Sequence, residues 1–261
     1  MSRDPLPSDR ARQVAVTAAE VLCVLGTLVG LGVLGTRVEE SSGGALAADA
    51  TLLAPAGPAF AIWTPVYLGL AGYTVWQWLP EQSTDRRHRA VGWLAAVSML
   101  LNAAWLLVTQ QGWIWVSVLV IGALAATLGV LVARLERHPS YGVAEGLLVD
   151  GTFGLYLGWV AVATCANVTA ALVSSGVDLG GPGNAVAAVA VLAVATVLGR
   201  WFASRLGGRW AVAVAMAWGL GWIAWGRLAA EPSSVLVALA AAVAAVVVLL
   251  AAGRVHARLA A

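Results

Sequence analysis

Three short sets of residues carry the side chains with most to offer a ligand. Phe60, Trp63 and Tyr67 lie three and four apart, Asn102 and Trp105 three apart, and Tyr156, Trp159, Ala163 and Asn167 follow a three-four-four rhythm. On a helix such spacing places each set along one face. Indole and phenol rings give stacking area at small entropic cost, and an Asn amide or indole N–H can fix a carbonyl or carboxylate. Largely apolar walls with a few polar anchors are what a small-molecule pocket is made of. Asn102 and Asn167 would serve equally well as hydrogen bonds between neighbouring membrane helices, and spacing alone leaves the two roles level.

Two acids fall inside apolar segments. Glu20 and Asp150 suit a proton relay or a coupling site, because charge at membrane depth is costly and marks function. Arginines from nearby loops would hold them just as well. Glu145, nearer the start of its segment, reads as interfacial. Cys23 and Cys165 read as small packing residues. His88, His138 and His256 each lie beside arginines and read as solvated. No Walker, GxSxG, HExxH or CxxC pattern occurs, so the chain offers no recognisable nucleophile or metal set, no catalytic residue is assigned and no cofactor is required. Nucleic-acid binding has no support.

The elements that position these residues follow from composition. Of 261 residues, 61% are hydrophobic and 11% charged, and every basic residue is Arg. Soluble domains carry about 25% charged residues. Continuous apolar runs, rather than alternating ones, exclude a β-barrel and give an all-α polytopic membrane bundle. Eight spans are read, at roughly 14–36, 59–80, 90–110, 113–134, 146–172, 185–204, 210–229 and 234–253; each has about the 20 residues a crossing needs. Arg3, Arg10, Arg12, Arg86, Arg87, Arg89, Arg134, Arg137, Arg200, Arg205, Arg209, Arg254 and Arg258 then share one side, and Arg37 and Arg227 the other. The positive-inside rule puts both termini in the cytoplasm, in a bacterial cytoplasmic membrane.

Depth along the spans, at ~1.5 Å per residue, brings the three aromatic and Asn sets to one level in the outer half, beneath the loop Arg37–Pro58. That loop reads equally as a mobile flap or as a passive connector. Trp218, Trp222 and Trp225 read as a packing or interfacial stripe. The spans at 185–204 and 234–253 are almost pure Ala, Val and Leu, and nothing in them suggests a role. The division expected is a tail over 1–13, a five-helix domain over 14–173 and a three-helix segment over 174–261.

The same residues resemble the tryptophan-rich sensory protein family, also called the TspO/MBR, translocator protein or peripheral benzodiazepine receptor family. Its PPGWVFGPVWTxLY pattern is similar to PAGPAFAIWTPVY here, its LNxxW is Leu101-Asn102-Ala103-Ala104-Trp105, and its PYLxWV with a later Asn is Tyr156-Leu157-Gly158-Trp159-Val160 followed by Asn167. The chain departs from the pattern at Pro58, Leu106, Leu107 and Leu155, and in the shorter step from Phe60 to Trp63. The match covers about residues 14–173. It implies a five-helix fold with a pocket beneath the first loop, extended here by three further helices. It also implies a planar hydrophobic ligand such as a protoporphyrin IX-like porphyrin, and homodimers. By motif position the ligand-binding residues are Trp63, Tyr67, Asn102, Trp105, Tyr156, Trp159 and Asn167. The expected function is a membrane receptor or sensor for tetrapyrroles. The alternatives are a transporter coupled through Glu20 and Asp150, and light-dependent porphyrin breakdown.

Overall fold

A computed structural model describes residues 4–260; Arg3 lies outside them. Among the described residues eight helices are formed: α1 Pro7–Gly30, α2 Trp63–Trp76, α3 Arg86–Gln110, α4 Ile114–Arg137, α5 Val143–Ser174, α6 Gly180–Arg205, α7 Trp210–Ala229 and α8 Val235–Ala260. Seven are long and apolar enough to cross a membrane, and α2 is the exception at 14 residues. Its expected span of 59–80 divides into a 3-10 stretch, Gly57–Ile62, followed by α2. Pro65 supplies the reason: it has no N–H to bond the carbonyl four residues back and its ring crowds that carbonyl, so α geometry does not extend upstream.

α1 begins at Pro7, earlier than expected, because Pro suits the first helical turn and Asp9 accepts a hydrogen bond from the Leu6 N–H at 3.0 Å. α3 is capped by Asp85, whose carboxylate accepts from the Arg87 N–H at 2.7 Å. α5 contains a π-helical turn, Gly146–Gly151.

The first five helices form a ring. α1 packs on α3, α3 on α4 and α4 on α5, and α2 closes the gap between α5 and α1. The remaining three attach through α7, which lies along α5; α8 packs on α7, and α6 on α8. The α5–α7 crossing is close because Gly158 has no side chain. A Cβ there would come within 2.3 Å of the Val212 carbonyl oxygen.

α8 shows why this is a membrane bundle. Val237, Ala241, Ala244, Val248 and Ala252 are buried, while Leu236, Leu239, Val243, Val246 and Leu250 are exposed. Small residues face the helices and large apolar ones face outward, the arrangement expected where lipid is the solvent. Seven helices long and apolar enough to cross a membrane make the chain an integral membrane protein.

Candidate ligand-binding site

Trp63, the first residue of α2, is the hub of an aromatic cluster. Its ring stacks on Tyr67, with centroids 5.1 Å apart and planes 15° apart, and meets Tyr156 and Trp159 edge-on at 5.7 and 6.3 Å. Phe60 meets Trp159 edge-on at 5.6 Å. α3 joins the cluster through hydrogen bonds. Asn102 Nδ2 donates to Tyr67 Oη at 3.0 Å and to Cys23 Sγ at 3.4 Å, and Trp105 Nε1 donates to Asn167 Oδ1 at 2.8 Å. Asn167 Nδ2 in turn donates to Ser117 Oγ of α4 at 3.0 Å. The sets from α2, α3 and α5 are therefore in mutual contact.

Beside this cluster, between α1 and α2 and beneath the 37–58 loop, lies a cavity of about 460 Å³. Phe60, Trp63, Tyr67 and Trp105 give it aromatic walls, Thr27 and Gly30 contribute from α1, and Arg37 and Glu39 stand at its rim. Of the seven residues singled out by motif, Trp63, Tyr67 and Trp105 line this cavity. Asn102 and Trp159 border a second hollow of about 30 Å³, shared with Trp63 and Trp105. Tyr156 and Asn167 stand behind the walls; Tyr156 is fully buried and its hydroxyl donates to the Ser98 carbonyl at 3.3 Å. Both Asn amides are occupied in bonds between helices, which fix the Tyr67 and Trp105 rings.

The loop over the cavity is tied down, chiefly by α7. Arg227, 1% exposed, donates to the carbonyls of Ala48 and Thr51 in this loop, and to that of Pro232 between α7 and α8, at 2.9–3.0 Å. Trp218 Nε1 donates to the Ala59 carbonyl at 2.8 Å, and the Ala56 N–H to the Trp222 carbonyl at 3.3 Å. Sequence reasoning missed this role for α7. The signal available was Arg227 itself, an arginine isolated at the end of the bundle that has few. It also missed Ser117 and the α1 wall; Thr27 and Gly30 sit one and two turns beyond Cys23 on its helix face.

A family model described as TSPO-like protein matches residues 15–253. The chain belongs to the TSPO-like family. The match includes α6, α7 and α8, whereas the sequence motifs place the resemblance on residues 14–173 alone. The motifs could not reach further because all three lie before residue 168. No curated protein and no solved structure matches the chain. The TSPO-like assignment supports a membrane protein of ligand-binding or sensor type.

Glu20 and Asp150 are not brought together. Asp150 sits on the π-turn of α5 at the arginine-rich end, where Arg87 Nη2 reaches it at 2.6 Å and Arg209 also bonds it. Arg87 further pairs with Glu145 at 3.1 Å and donates to the His138 carbonyl at 2.7 Å, and Arg209 pairs with Glu136 at 3.0 Å. Two sequence expectations change here. Glu145 is buried rather than interfacial, and His88 is buried rather than solvated, stacked on Tyr73 at 5.8 Å. Glu145 is drawn inward as a counter-charge to Arg87, itself 1% exposed, whereas His88 is held by Gln82 Oε1 at 2.9 Å and by the Tyr73 ring. Glu20 by contrast is 6% exposed, and neither of its carboxylate oxygens has a hydrogen-bond partner among the described residues. Among those residues no group of His, Cys, Asp and Glu is placed to hold a metal ion.

Proposed function

We propose that this protein binds a flat, largely apolar molecule in the cavity beneath the 37–58 loop, with tetrapyrroles as the representative class. The observation that carries this reading is the cavity of about 460 Å³ walled by Trp63, Tyr67 and Trp105. Its volume falls in the range of roughly 300–1,000 Å³ that small-molecule sites occupy. Flat aromatic walls favour a flat guest, since stacked or edge-on contacts add to simple burial. Trp63, Tyr67 and Trp105 stack on the guest. Tyr156 and Trp159 buttress Trp63, and Asn102 and Asn167 act as anchors of Tyr67 and Trp105 rather than of the guest. The termini and the arginine-rich end face the cytoplasm on this reading, so the cavity opens toward the opposite side.

A transporter coupled through an acid pair draws little from this arrangement. Asp150 is held by two arginines in a structural cluster.

The test is quenching of tryptophan fluorescence by protoporphyrin on detergent-purified protein. Trp63→Ala and Trp105→Ala each weaken binding by roughly tenfold or more, the loss of about 1.4 kcal/mol expected when a stacking face goes. Trp225→Ala, a 60% exposed ring on α7, serves as the control and leaves affinity unchanged. Equal affinity in all three variants would remove the cavity from consideration.

A further inference from the structure

A separate cavity, of about 380 Å³, lies between α5 and α6 at the end of the bundle that carries the 37–58 loop. It exists because α6 stands off from the five-helix ring. α6 packs along α8 and touches α5 and α7 only sparsely, so the last turns of α5 and the first turns of α6 leave a gap. Thr169, Leu172 and Val173 wall it from α5, and Ala185, Ala188 and Val191 from α6. Small side chains on α6 leave the room. Thr51 and Leu52 of the 37–58 loop complete the lining, with Ser233 and Ser234 from the segment between α7 and α8.

These walls differ in kind from those of the aromatic cavity. Among the described residues that line the gap there is no aromatic ring and no charged side chain. Most of its polar groups are already used. Thr169 Oγ1 donates to the Cys165 carbonyl at 3.0 Å, Thr51 Oγ1 accepts from the Leu53 N–H at 3.3 Å, and Asn184 Nδ2 donates to Asp178 Oδ1 at 2.7 Å. Ser233 is exposed and sets a hydroxyl at the outer rim. Leu172, Val173 and Val177 are exposed as well, so the gap opens sideways on the lipid. Val191 lies about 16 Å along α6 from its first residue, at ~1.5 Å per residue. The gap therefore runs through roughly one leaflet of a hydrocarbon core about 30 Å thick.

We propose that this gap binds a single aliphatic chain carrying a small uncharged polar head, as in a long-chain alcohol. The site is distinct from the aromatic cavity and does not depend on it. An apolar hollow stays dry, and wall atoms that face a void forgo their dispersion contacts. A hydrocarbon chain entering from the leaflet restores those contacts along Leu172, Val173, Ala188 and Val191. With no ring face to stack on, the walls give a planar guest no advantage over a flexible one. The uncharged head follows from the rim. The lining offers no cation to a phosphate or carboxylate and no anion to an amine. Arg227, which precedes the 232–234 segment, is committed to three carbonyls. A hydroxyl head meets Ser233 and leaves no charge unpaired.

The test uses the intact chain in phosphatidylcholine vesicles with one of two photoreactive probes at equal mole fraction. One is hexadecanol bearing a mid-chain diazirine; the other is phosphatidylcholine with the same group on one chain. Illumination attaches each probe to whatever its chain touches, and peptide mass spectrometry locates the attachment. Hexadecanol is expected to label residues 169–173 and 184–191 about fivefold more than the exposed Leu239 and Val243 of α8, the gain from several added dispersion contacts. An excess of plain hexadecanol removes that difference, and the phosphatidylcholine probe labels both regions alike. Ala188→Phe, at a position 4% exposed, fills the gap and brings its labelling down to the α8 level while α8 labelling is unchanged. The competition is read on the unmutated protein, so it stands even where the variant fails to fold. Labelling that is even along the lipid-facing helices, or that plain hexadecanol does not displace, overturns the proposal. Equal and displaceable labelling by both probes places an ordinary bilayer chain in the gap and overturns the uncharged head.

Discussion

The arginine-rich half and the loop half of this bundle are made from the same helices, yet one is closed and the other is hollow. At the arginine end, charges pair across helices: Arg87 with Asp150 and Glu145, Arg209 with Asp150 and Glu136, and Arg89 with Asp9 at 2.5 Å. At the loop end, rings meet at angles around Trp63 and leave a void beside them. Charge pairs have short, defined distances and draw helices together until they are satisfied. Large flat rings propped edge-on against one another span the space between helices and cannot collapse into it. The difference teaches that the acid at Asp150 is architecture, while the acid at Glu20 is buried with no hydrogen-bond partner among the described residues.

Three arginines grade this comparison by how deeply each is built in. Arg87→Ala strips the counter-charge from buried Glu145 and one of two arginines from Asp150, and is expected to cost about 3–5 kcal/mol, as when one partner of a buried ion pair is removed. Thermal unfolding in detergent would show it, and a midpoint close to that of the unaltered protein would mean the arginine end is not the bracing half. Arg227→Ala, in the loop half, frees the Ala48 and Thr51 carbonyls of the 37–58 loop and that of Pro232, and is expected to cost about 2 kcal/mol, felt locally. Limited proteolysis should then cut within residues 37–58 while the helices resist; a loop as protected as before would show that Trp218 and Trp222 hold it unaided. Arg37→Gln touches only an exposed pair and should change stability by less than about 0.5 kcal/mol. A larger shift in that unfolding measurement would show that the rim, too, braces the loop.

Much of the site could be read from spacing. The three-and-four steps in Phe60, Trp63 and Tyr67, and in Tyr156 and Trp159, fixed which rings share a face, and opposite helix directions fixed their common level. What spacing could not decide was the use of each amide. Asn102 turned out to face Tyr67 and Cys23, and Asn167 to face Trp105 and Ser117. A hydrogen bond across helices depends on rotation about each axis, which no single helix sets for itself. The role of α7 was hidden for the same reason. Gly158 and Val212 are 54 residues apart by number, and nothing in either segment announces how closely they cross.

Sequence by itself determined that this chain spans a membrane, roughly how many times, and at which end its arginines collect, because the cost of burying backbone and charge in lipid is paid residue by residue. Tertiary structure decided which rings border empty space, that Asp150 is shared between Arg87 and Arg209, and that Glu20 has no hydrogen-bond partner among the described residues. Those outcomes depend on distances between helices, which are set when all of them pack at once.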